Sequence, residues 1–553
     1  MPADSLNIAH HLSRTAAAHP GSCAVMVPRG RNRRGEIDYL ALSFTELDAE
    51  VDAWCRRLTA CGVRPGDRTL VMVRQGLPLI AAAFALFRIG AVPVIIDPGM
   101  GLRSFLSCVG RSRPRVLLGI PLAQFISHIF RRSFGSVAIR VPVSRSMTFR
   151  LGTAPAAGLS PVAAAPSAPA DLAAILFTSG STGSPKGVCY EHRMLDAQVS
   201  LVRDTYGIEP GEIDLPLLPV FALFDPALGM TAVVPEIDPS RPASVDPSRL
   251  VQAILQENIT NCFGSPTLWR KIGDHCLARA IRLPTLRRVL CAGAPVPASL
   301  WADAPRFLPN GKLHSPYGAT EALPVSTVSA DQINPAAICG ACVGRPLKAN
   351  SVKIIAIADH PIASLAEARE LPPGEIGEII VSGPSVTRLY DQLPEATAAA
   401  KIRGEPGSPA SIWHRMGDSG FLDPDGLLWF CGRVSERIET AAGPMFTEPC
   451  EQIFRAHPAV RRCALVGIGD RGRQTPAIVV ELKRGISFGP AAGKQELSSG
   501  LRQLARVHRH TASIETFYIH PRFPVDVRHN AKIHRLELAL WAATAQPLPA
   551  PAG

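Results

Sequence analysis

Residues 172–187 read LAAILFTSGSTGSPKG, the most informative segment of the chain for its fold class. The first part, Leu172–Phe177, is continuously apolar, which is typical of a buried strand. The part that follows, Thr178–Gly187, combines three glycines with several hydroxyls and Lys186. Glycine lets backbone N–H groups turn toward an anion, and a lysine adds positive charge. The composition favours a phosphate-binding loop over a generic flexible turn, although Lys186 is followed by Gly187 and the Walker pattern is not met.

Strand and helix patterns alternate on the N-terminal side of this stretch. Thr69–Val73 and Ala91–Ile96 are predicted strands, and Leu77–Ile89 between them is a predicted helix. Strand, helix and strand with short connections indicate a parallel α/β layer. A second α/β pattern runs from Val251 to about Gly344.

The C-terminal third has a different pattern. From Val352 to Val386 the apolar runs are short and separated by proline and glycine, which predicts an all-β piece. Beyond Val434, Glu451–Arg455 is a helix candidate, and Arg462–Val466 and Ala477–Lys483 are strand candidates. This last segment is long enough for a small domain of its own.

Composition excludes several classes of protein. The chain has 553 residues, 46% of them hydrophobic, and a net charge of +12. The arginines are scattered without aromatic stacking partners, which disfavours nucleic-acid binding. The most apolar run, Leu77–Phe87, is about half the ~20 residues of a membrane helix, so we expect a buried core helix there.

Cysteines and the N-terminus point to a reducing compartment. The 13 cysteines are an odd number, and the first residues carry no basic or apolar signal segment. We therefore predict a cytoplasmic protein with free thiols. A C-x-x-C pair, Cys339 and Cys342, lacks a second pair for zinc and is interpreted as two buried thiols.

Four further motifs follow the phosphate-loop candidate along the chain. TSGSTGSPKG resembles the signature loop of the adenylate-forming superfamily, which includes acyl-CoA synthetases, luciferases and peptide-synthetase adenylation domains. Cys291–Pro295 (CAGAP), Tyr317–Glu321 (YGATE), Gly417–Gly420 (GDSG) and Cys431–Arg433 (CGR) are similar to four further motifs of that superfamily, in the same order.

This resemblance implies an α/β fold with two domains. The expected large N-terminal AMP-binding domain, residues 1–433, has two α/β subdomains and a β-rich subdomain at about 345–433. The expected C-terminal domain, residues 434–553, is a small mobile α+β lid. ATP and Mg²⁺ are the implied cofactors.

The resemblance also implies roles for individual residues. Tyr317 would stack on adenine, Asp418 would accept the ribose hydroxyls, and Glu321 with Thr178 would hold Mg²⁺. Lys532, Glu321 and Thr320 would be catalytic. The nucleotide-binding set is Thr178, Ser179, Gly180, Ser181, Thr182, Gly183, Lys186, Gly293, Ala294, Pro295, Tyr317, Gly318, Asp418 and Arg433.

Other segments narrow the resemblance. FALFDPALGMT from Phe221, YGATEALPV from Tyr317 and FPVDVRHNAKI from Phe523 resemble the β-lactone synthetases of bacterial long-chain olefin biosynthesis. The resemblance places an interdomain hinge that begins at Cys431–Arg433. In it, Ser435 stands where many relatives have aspartate, and Glu439 where many have lysine.

That resemblance implies a two-step ATP-dependent ligase. A 2-alkyl-3-hydroxy fatty acid would be adenylated, and its 3-hydroxyl would then displace AMP to give a β-lactone, without coenzyme A. Phe221, Phe224 and Gly229 would belong to the substrate pocket, although ordinary core is an equal interpretation of this apolar run. Other olefin-pathway enzymes are the implied partners.

Alternatives remain open from the sequence. A long-chain acyl-CoA synthetase or acyl-AMP ligase would share the first step, and a non-catalytic nucleotide-binding scaffold would share only the fold. The base that deprotonates the 3-hydroxyl is unassigned. His192, His414 and His529 are candidates by residue type alone.

Overall fold

The computed structural model describes residues 6–144, 160–178, 185–218, 220–238, 244–333, 339–405, 411–486, 491–525 and 533–549. Contacts within the chain define two compact units. The first is Met1–Ala330 with Leu347–Ser351 and Ser382–His414, and the second is Asp331–Pro346 with Val352–Val381 and Arg415–Gly553. The second unit combines segments from both expected domains, 1–433 and 434–553. Those two domains stay a prediction.

Helices and strands alternate in the first part of the chain. In order they are α1 His10–Ala18, β1 Cys23–Arg31, β2 Ile37–Ser43, α2 Phe44–Ala60, β3 Arg68–Met72, α3 Leu77–Arg88, β4 Val92–Ile95, α4 Leu102–Ser112, β5 Val116–Gly119, α5 Pro121–Ile129 and β6 Ile139–Pro142.

The same alternation continues through the middle of the chain. The elements are β7 Leu172–Thr178, β8 Lys186–Glu191, α6 His192–Tyr206, β9 Ile213–Pro216, α7 Asp225–Leu228, β10 Thr231–Val233, α8 Pro247–Gln256, β11 Asn261–Gly264, α9 Pro266–Ala278, β12 Arg288–Cys291, α10 Ala298–Phe307, β13 Lys312–Ala319 and β14 Ala322–Ser329.

Strands dominate the last part. The elements are β15 Ala341–Pro346, β16 Ser351–Ile355, β17 Gly377–Ser382, α11 Pro394–Ala400, β18 Lys401–Arg403, β19 Ile412–Leu422, β20 Leu428–Arg433, β21 Ile438–Thr440, β22 Gly443–Met445, α12 Thr447–Arg455, β23 Val460–Ile468, β24 Thr475–Leu482, α13 Ala491–Val507, β25 Thr516–Ile519 and α14 Arg535–Ala542.

The first unit holds two runs of paired strands. One has the order β6-β5-β3-β4-β7-β8, in which β8 alone is antiparallel to its neighbour among the described pairs. The other runs β14-β13-β12-β11-β9-β10-β1-β2. Parallel strands joined by helices confirm the expected α/β fold class.

The second unit is richer in antiparallel strands. Its strands β16-β17-β19-β20-β15 pair in that order, and β23-β24-β25 form a separate sheet. Helices α12 and α13 contribute buried apolar residues to the same core as β23 and β24. The predicted helix and strands after Val434 are confirmed as α12, β23 and β24.

Helix α3 is buried along nearly its whole length. Every side chain from Leu77 to Arg88 except Leu79 is buried, which confirms the predicted core helix. It shares one apolar cluster with residues 173–190 and 390–400. Arg88 ends the helix at 2% exposure and is paired with Asp48 and, at 2.6 Å, with Asp52. Among the described helices, none is both long and apolar enough to cross a membrane.

The interpretation of the C-x-x-C pair is wrong in one respect. The thiols are free, as expected, but Cys339 is exposed and Cys342 is only half-buried. The pair flanks Gly340, whose φ of +138° belongs to the turn that leads into β15. A turn lies at the surface because its backbone polar groups need solvent, so its side chains are not core residues.

Candidate active site

The phosphate-loop candidate closes a β-hairpin. Strand β7 pairs antiparallel with β8, and Thr178 lies opposite Lys186 at the open end. Residues Ser179–Gly183 lie outside the described part of the chain. Gly187 is required beside Lys186, because a Cβ there would lie 2.9 Å from Phe177 Cζ.

Tyr390 joins this hairpin to the predicted magnesium motif. Its ring centroid lies 4.9 Å from Lys186 Nζ, a cation–π contact, and its hydroxyl donates to Glu321 Oε1 at 2.8 Å. Backbone contacts fix this position, since Asp391 N donates to Gly187 O at 2.7 Å and Tyr390 bridges to Val188. Burial, and next the Glu321 charge, raise the pKa of Tyr390, so the phenol keeps the proton that it donates.

Glu321 lies in the turn between β13 and β14. Its carbonyl oxygen accepts a hydrogen bond from Thr387 N at 2.9 Å, and the carbonyl of Thr320 accepts one from the Tyr190 hydroxyl. The hairpin is tight, because a Cβ on Gly318 would lie 2.5 Å from Ala322 O. Thr320 and Glu321 are therefore each held in place through the backbone carbonyl.

Lys401 is a buried cation beside the same residues. It is 8% exposed, donates to Thr387 O, and its Nζ lies 6.0 Å from the Tyr390 ring centroid. Burial lowers the pKa of Lys401 to about 7, although the Glu321 carboxylate opposes that shift. Lys401 therefore titrates near neutral pH.

The predicted adenine-contacting residues follow two adjacent strands. Gly293 and Pro295 come after β12, and Tyr317 is in β13, which pairs parallel with β12. Tyr317 is half-buried, and Gly293 adopts φ of +96°, a conformation that glycine tolerates best. The carboxyl ends of parallel strands are where ligands bind in α/β sheets.

Asp418 and Arg433 form an ion pair in the second unit. They are opposite residues of β19 and β20, and Arg433 Nη1 lies 2.8 Å from Asp418 Oδ1. Asp418 is buried at 4% exposure, whereas Arg433 is partly exposed. The pair combines a carboxylate acceptor with a cation on adjacent strands.

A largely apolar cavity of about 60 Å³ lies in the first unit. Phe221 and Phe224 line it, and Phe221 stacks on Phe263 with ring centroids 3.4 Å apart. Gly229 is not among its described lining residues. That glycine ends α7 with φ of +74°, and a Cβ there would lie 3.0 Å from Pro210.

The histidine candidates have structural contacts. His192 is 3% exposed, its Nδ1 accepts from Ile8 N at 3.2 Å, and burial lowers its pKa to about 4. His414 is also buried and lies 3.2 Å from Ala400 O through Nδ1. His529 and Lys532 lie outside the described residues.

Sequence reasoning missed Tyr390 and Lys401. Tyr390 is 69 positions from Glu321 in the chain and carries no motif around it. The pairing of residues near 390 with β8 brings it into the site, and no local pattern predicts that pairing. Lys401 opens the short strand β18 and has the appearance of an ordinary polar residue in the sequence.

A profile of the AMP-binding enzyme family matches residues 12–391. The chain belongs to the AMP-binding enzyme family. This AMP-binding enzyme is 43% identical to an olefin β-lactone synthetase of Xanthomonas campestris pv. campestris, over 97% of both chains. It is 44% identical to an olefin β-lactone synthetase of Stenotrophomonas maltophilia, over 97% of this chain and 98% of the relative.

A solved structure has the same fold as this AMP-binding enzyme. ATP-bound MatB from Rhodopseudomonas palustris matches with a TM-score of 0.77 and 19% identity, covering 98% of this chain and 99% of that one. The expected adenylate-forming fold is confirmed. The AMP-binding enzyme is an ATP-dependent, adenylate-forming ligase. These two relatives, which match nearly its whole length, are olefin β-lactone synthetases.

Proposed function

We propose that this enzyme adenylates the carboxylate of a 2-alkyl-3-hydroxy fatty acid and then closes the acyl adenylate to a β-lactone. The products would be the lactone, AMP and pyrophosphate, made in long-chain olefin biosynthesis. The observation that carries the proposal is the 43–44% identity to two olefin β-lactone synthetases over nearly the whole chain.

In the first step the substrate carboxylate attacks the α-phosphorus of ATP and pyrophosphate leaves. We assign the triphosphate to the Thr178–Gly183 loop and Lys186, adenine to Tyr317, and ribose to Asp418. The Lys186 ammonium over the Tyr390 ring would be positioned for phosphate oxygens, since the ring restricts where its side chain lies.

The donor set at Glu321 fits a magnesium ion, because a carboxylate held by the Tyr390 hydroxyl at 2.8 Å is a hard oxygen ligand. Glu321 and Thr178 would hold Mg²⁺, whose charge, when bound, neutralises phosphate oxygens. Tyr390 orients the Glu321 carboxylate, and Lys401 fixes the adjacent backbone through Thr387.

We also assign Lys532 to the first step. A cation beside the α-phosphate would stabilise charge that builds on the phosphate oxygens as the carboxylate attacks. The assignment is supported by the resemblance of residues 523–533 to the terminal motif of the family.

In the second step the tethered 3-hydroxyl attacks the acyl carbon and expels AMP. A four-membered ring is strained, so the acyl group must first be activated as a mixed anhydride. The nucleophile belongs to the same molecule, so no second substrate has to be captured. Water would compete for the adenylate, and the apolar surroundings of Phe221 and Phe224 would exclude it.

The test is a product analysis with purified protein. ATP, Mg²⁺ and a synthetic 2-alkyl-3-hydroxy fatty acid are incubated with and without coenzyme A, and the cold mixture is analysed by proton NMR. We expect a β-lactone and AMP without coenzyme A. An acyl-CoA that forms only when coenzyme A is added would instead favour the acyl-CoA synthetase alternative.

Two finer expectations stay predictions. Association with other olefin-pathway enzymes would be tested by co-purification of the partners expressed together. The cytoplasmic location would be tested by fractionation of the source cells.

A further inference from the structure

Two aspartates line the apolar cavity. Asp214 lies on β9 and Asp225 opens α7, and they are 6% and 3% exposed. Their carboxyl groups are hydrogen-bonded to each other. Buried carboxyl groups are rare unless they are paired, and two in contact cannot both be ionised, so this pair shares a proton.

One oxygen of the pair lacks a donor from the rest of the protein. Among the described residues, no group outside the pair donates a hydrogen bond to the buried Asp225 Oδ2. The polar neighbours are engaged elsewhere, since the Tyr206 hydroxyl donates to Thr327 Oγ1 at 3.1 Å and Asn261 Nδ2 donates to Glu212 at 2.6 Å. A buried oxygen without a donor destabilises the folded protein, and a ligand that donates a hydrogen bond to it would remove that cost.

The cavity adjoins the candidate ATP site within the first unit. The β13–β14 hairpin, which carries Tyr317 and Glu321, also contributes Pro316, Leu323 and Pro324 to the cavity wall. The other walls include the phenylalanines that we assign to the acyl chains. A hydroxyl group that enters such apolar surroundings needs a hydrogen-bond partner.

We propose that the Asp214–Asp225 carboxyl pair is the base that takes the proton from the 3-hydroxyl of the acyl adenylate. This inference rests on the proposed function and names the group that the reaction still lacks. The described histidine candidates do not line this cavity, whereas the aspartate pair does.

The ring-closing step moves one proton and exchanges one C–O bond for another. The O–H bond of the 3-hydroxyl breaks and the proton goes to the carboxylate of the pair, while the oxygen forms a bond to the acyl carbon. The bond between that carbon and the phosphate oxygen breaks, and AMP leaves with its electron pair. The pair then holds two protons and is neutral, and it returns one to water when the lactone leaves.

The surroundings favour this proton uptake. Burial raises the pKa of Asp214 to about 7 and that of Asp225 further, and for Asp225 the neighbouring carboxylate adds to the effect. A base with a pKa near the working pH is the most effective one. The apolar cavity stabilises the neutral, doubly protonated pair, which is the state that the step produces.

Other titratable groups line or border the cavity. Cys262 on β11 and Tyr206 on α6 line the same cavity, and burial raises the pKa of each, so both keep their protons near neutral pH. Glu212 reaches the cavity only through Asn261 and is paired with Arg288 at 2.5 Å. His314 stacks edge-on against Tyr206 at 5.5 Å.

The experiment separates the two half-reactions in single turnovers. Asp225→Asn and Asp214→Asn are mixed with ATP, Mg²⁺ and the 3-hydroxy acid, and pyrophosphate, acyl adenylate and lactone are followed in quenched samples. We expect a normal pyrophosphate burst, accumulated acyl adenylate, and lactone formation slowed by about 100-fold or more. Asp204→Asn, a change of an exposed aspartate on α6, is the matched control and should behave as wild type.

Two further measurements make the result decisive. The acid that lacks the 3-hydroxyl should be adenylated equally by wild type and both variants. The wild-type lactone step should rise with pH and level off above about 7, because the pair must lose one of its two protons before it can act as a base. This profile needs no variant, so it also decides the matter if the asparagine chains do not fold.

Three outcomes would overturn the inference. They are lactone formation near the wild-type rate in both variants, loss of the pyrophosphate burst in folded variants, and a flat pH profile of the wild-type lactone step. A wild-type enzyme that makes no lactone from the 3-hydroxy acid would refute the proposed function itself, which is a distinguishable result.

Discussion

Replacing Tyr390 with phenylalanine isolates one hydrogen bond of the candidate site. The ring remains, so the contact with Lys186 at 4.9 Å is kept, and only the donation to Glu321 Oε1 at 2.8 Å is lost. A hydrogen bond to a charged group contributes about 1.5–3 kcal/mol. If the transition state uses all of it, adenylation falls about 10- to 150-fold, at 1.36 kcal/mol for each tenfold change.

The assay is pyrophosphate release under subsaturating substrate, together with its dependence on Mg²⁺. We expect a lower kcat/KM and a higher half-saturating Mg²⁺ concentration for Tyr390→Phe, since Glu321 loses the group that orients it. Tyr39→Phe, on β2 and outside the candidate site, is the matched control. Thermal unfolding verifies that each variant is folded.

One result would refute this reasoning. Folded Tyr390→Phe that releases pyrophosphate within about twofold of wild type, with the same Mg²⁺ dependence, would mean that the hydrogen bond has no part in the reaction. The assignment of Glu321 as the magnesium ligand would then lose its support from geometry.

Four other changes have expected outcomes. Lys532→Ala should slow pyrophosphate release sharply while ATP binding, measured by calorimetry, is kept. Gly318→Ala should reduce adenylation, because its Cβ would lie 2.5 Å from Ala322 O and push the turn apart; comparing pyrophosphate release with that of wild type checks this. Arg88→Met should cost about 3–5 kcal/mol of unfolding free energy in urea, since the buried carboxylate of Asp52 loses its arginine partner. Burial raises the pKa of Asp214 to about 7, so the stability from its bound proton is complete below about pH 4 and is lost as pH rises through 7. The difference in Tm between Asp214→Asn and wild type should therefore shift in favour of the variant as the pH rises from 5 to 8.

Much of the fold was predictable because the decisive signals are local. The apolar run at Leu172 and the pattern around helix α3 each follow from neighbouring residues, and their observed ends differ from the predicted ones by only a residue or so. Cys339 was misjudged, because exposure of a thiol depends on a turn that the C-x-x-C spacing does not encode.

The site was predictable only as far as its motifs extend. Tyr390 reaches Glu321 across 69 positions of the chain, and Asp214 meets Asp225 only once β9 and α7 are folded, so no sequence pattern shows either contact. Residue type alone also does not show whether an aspartate is buried or exposed. In the run FALFDPALGMT the two phenylalanines were therefore predicted as pocket residues, whereas Asp225 was not.

The buried helix α3 has a consequence for synthesis of the chain. Translation proceeds at about 5–20 residues per second, and the ribosome finishes Arg88 roughly 300 residues before Tyr390 and Ala400, which share the cluster of α3. An apolar helix therefore waits roughly 15–60 s for its last neighbours. Slower translation lengthens this wait, so a chaperone that shields apolar segments should raise the yield of folded enzyme more than slower expression does.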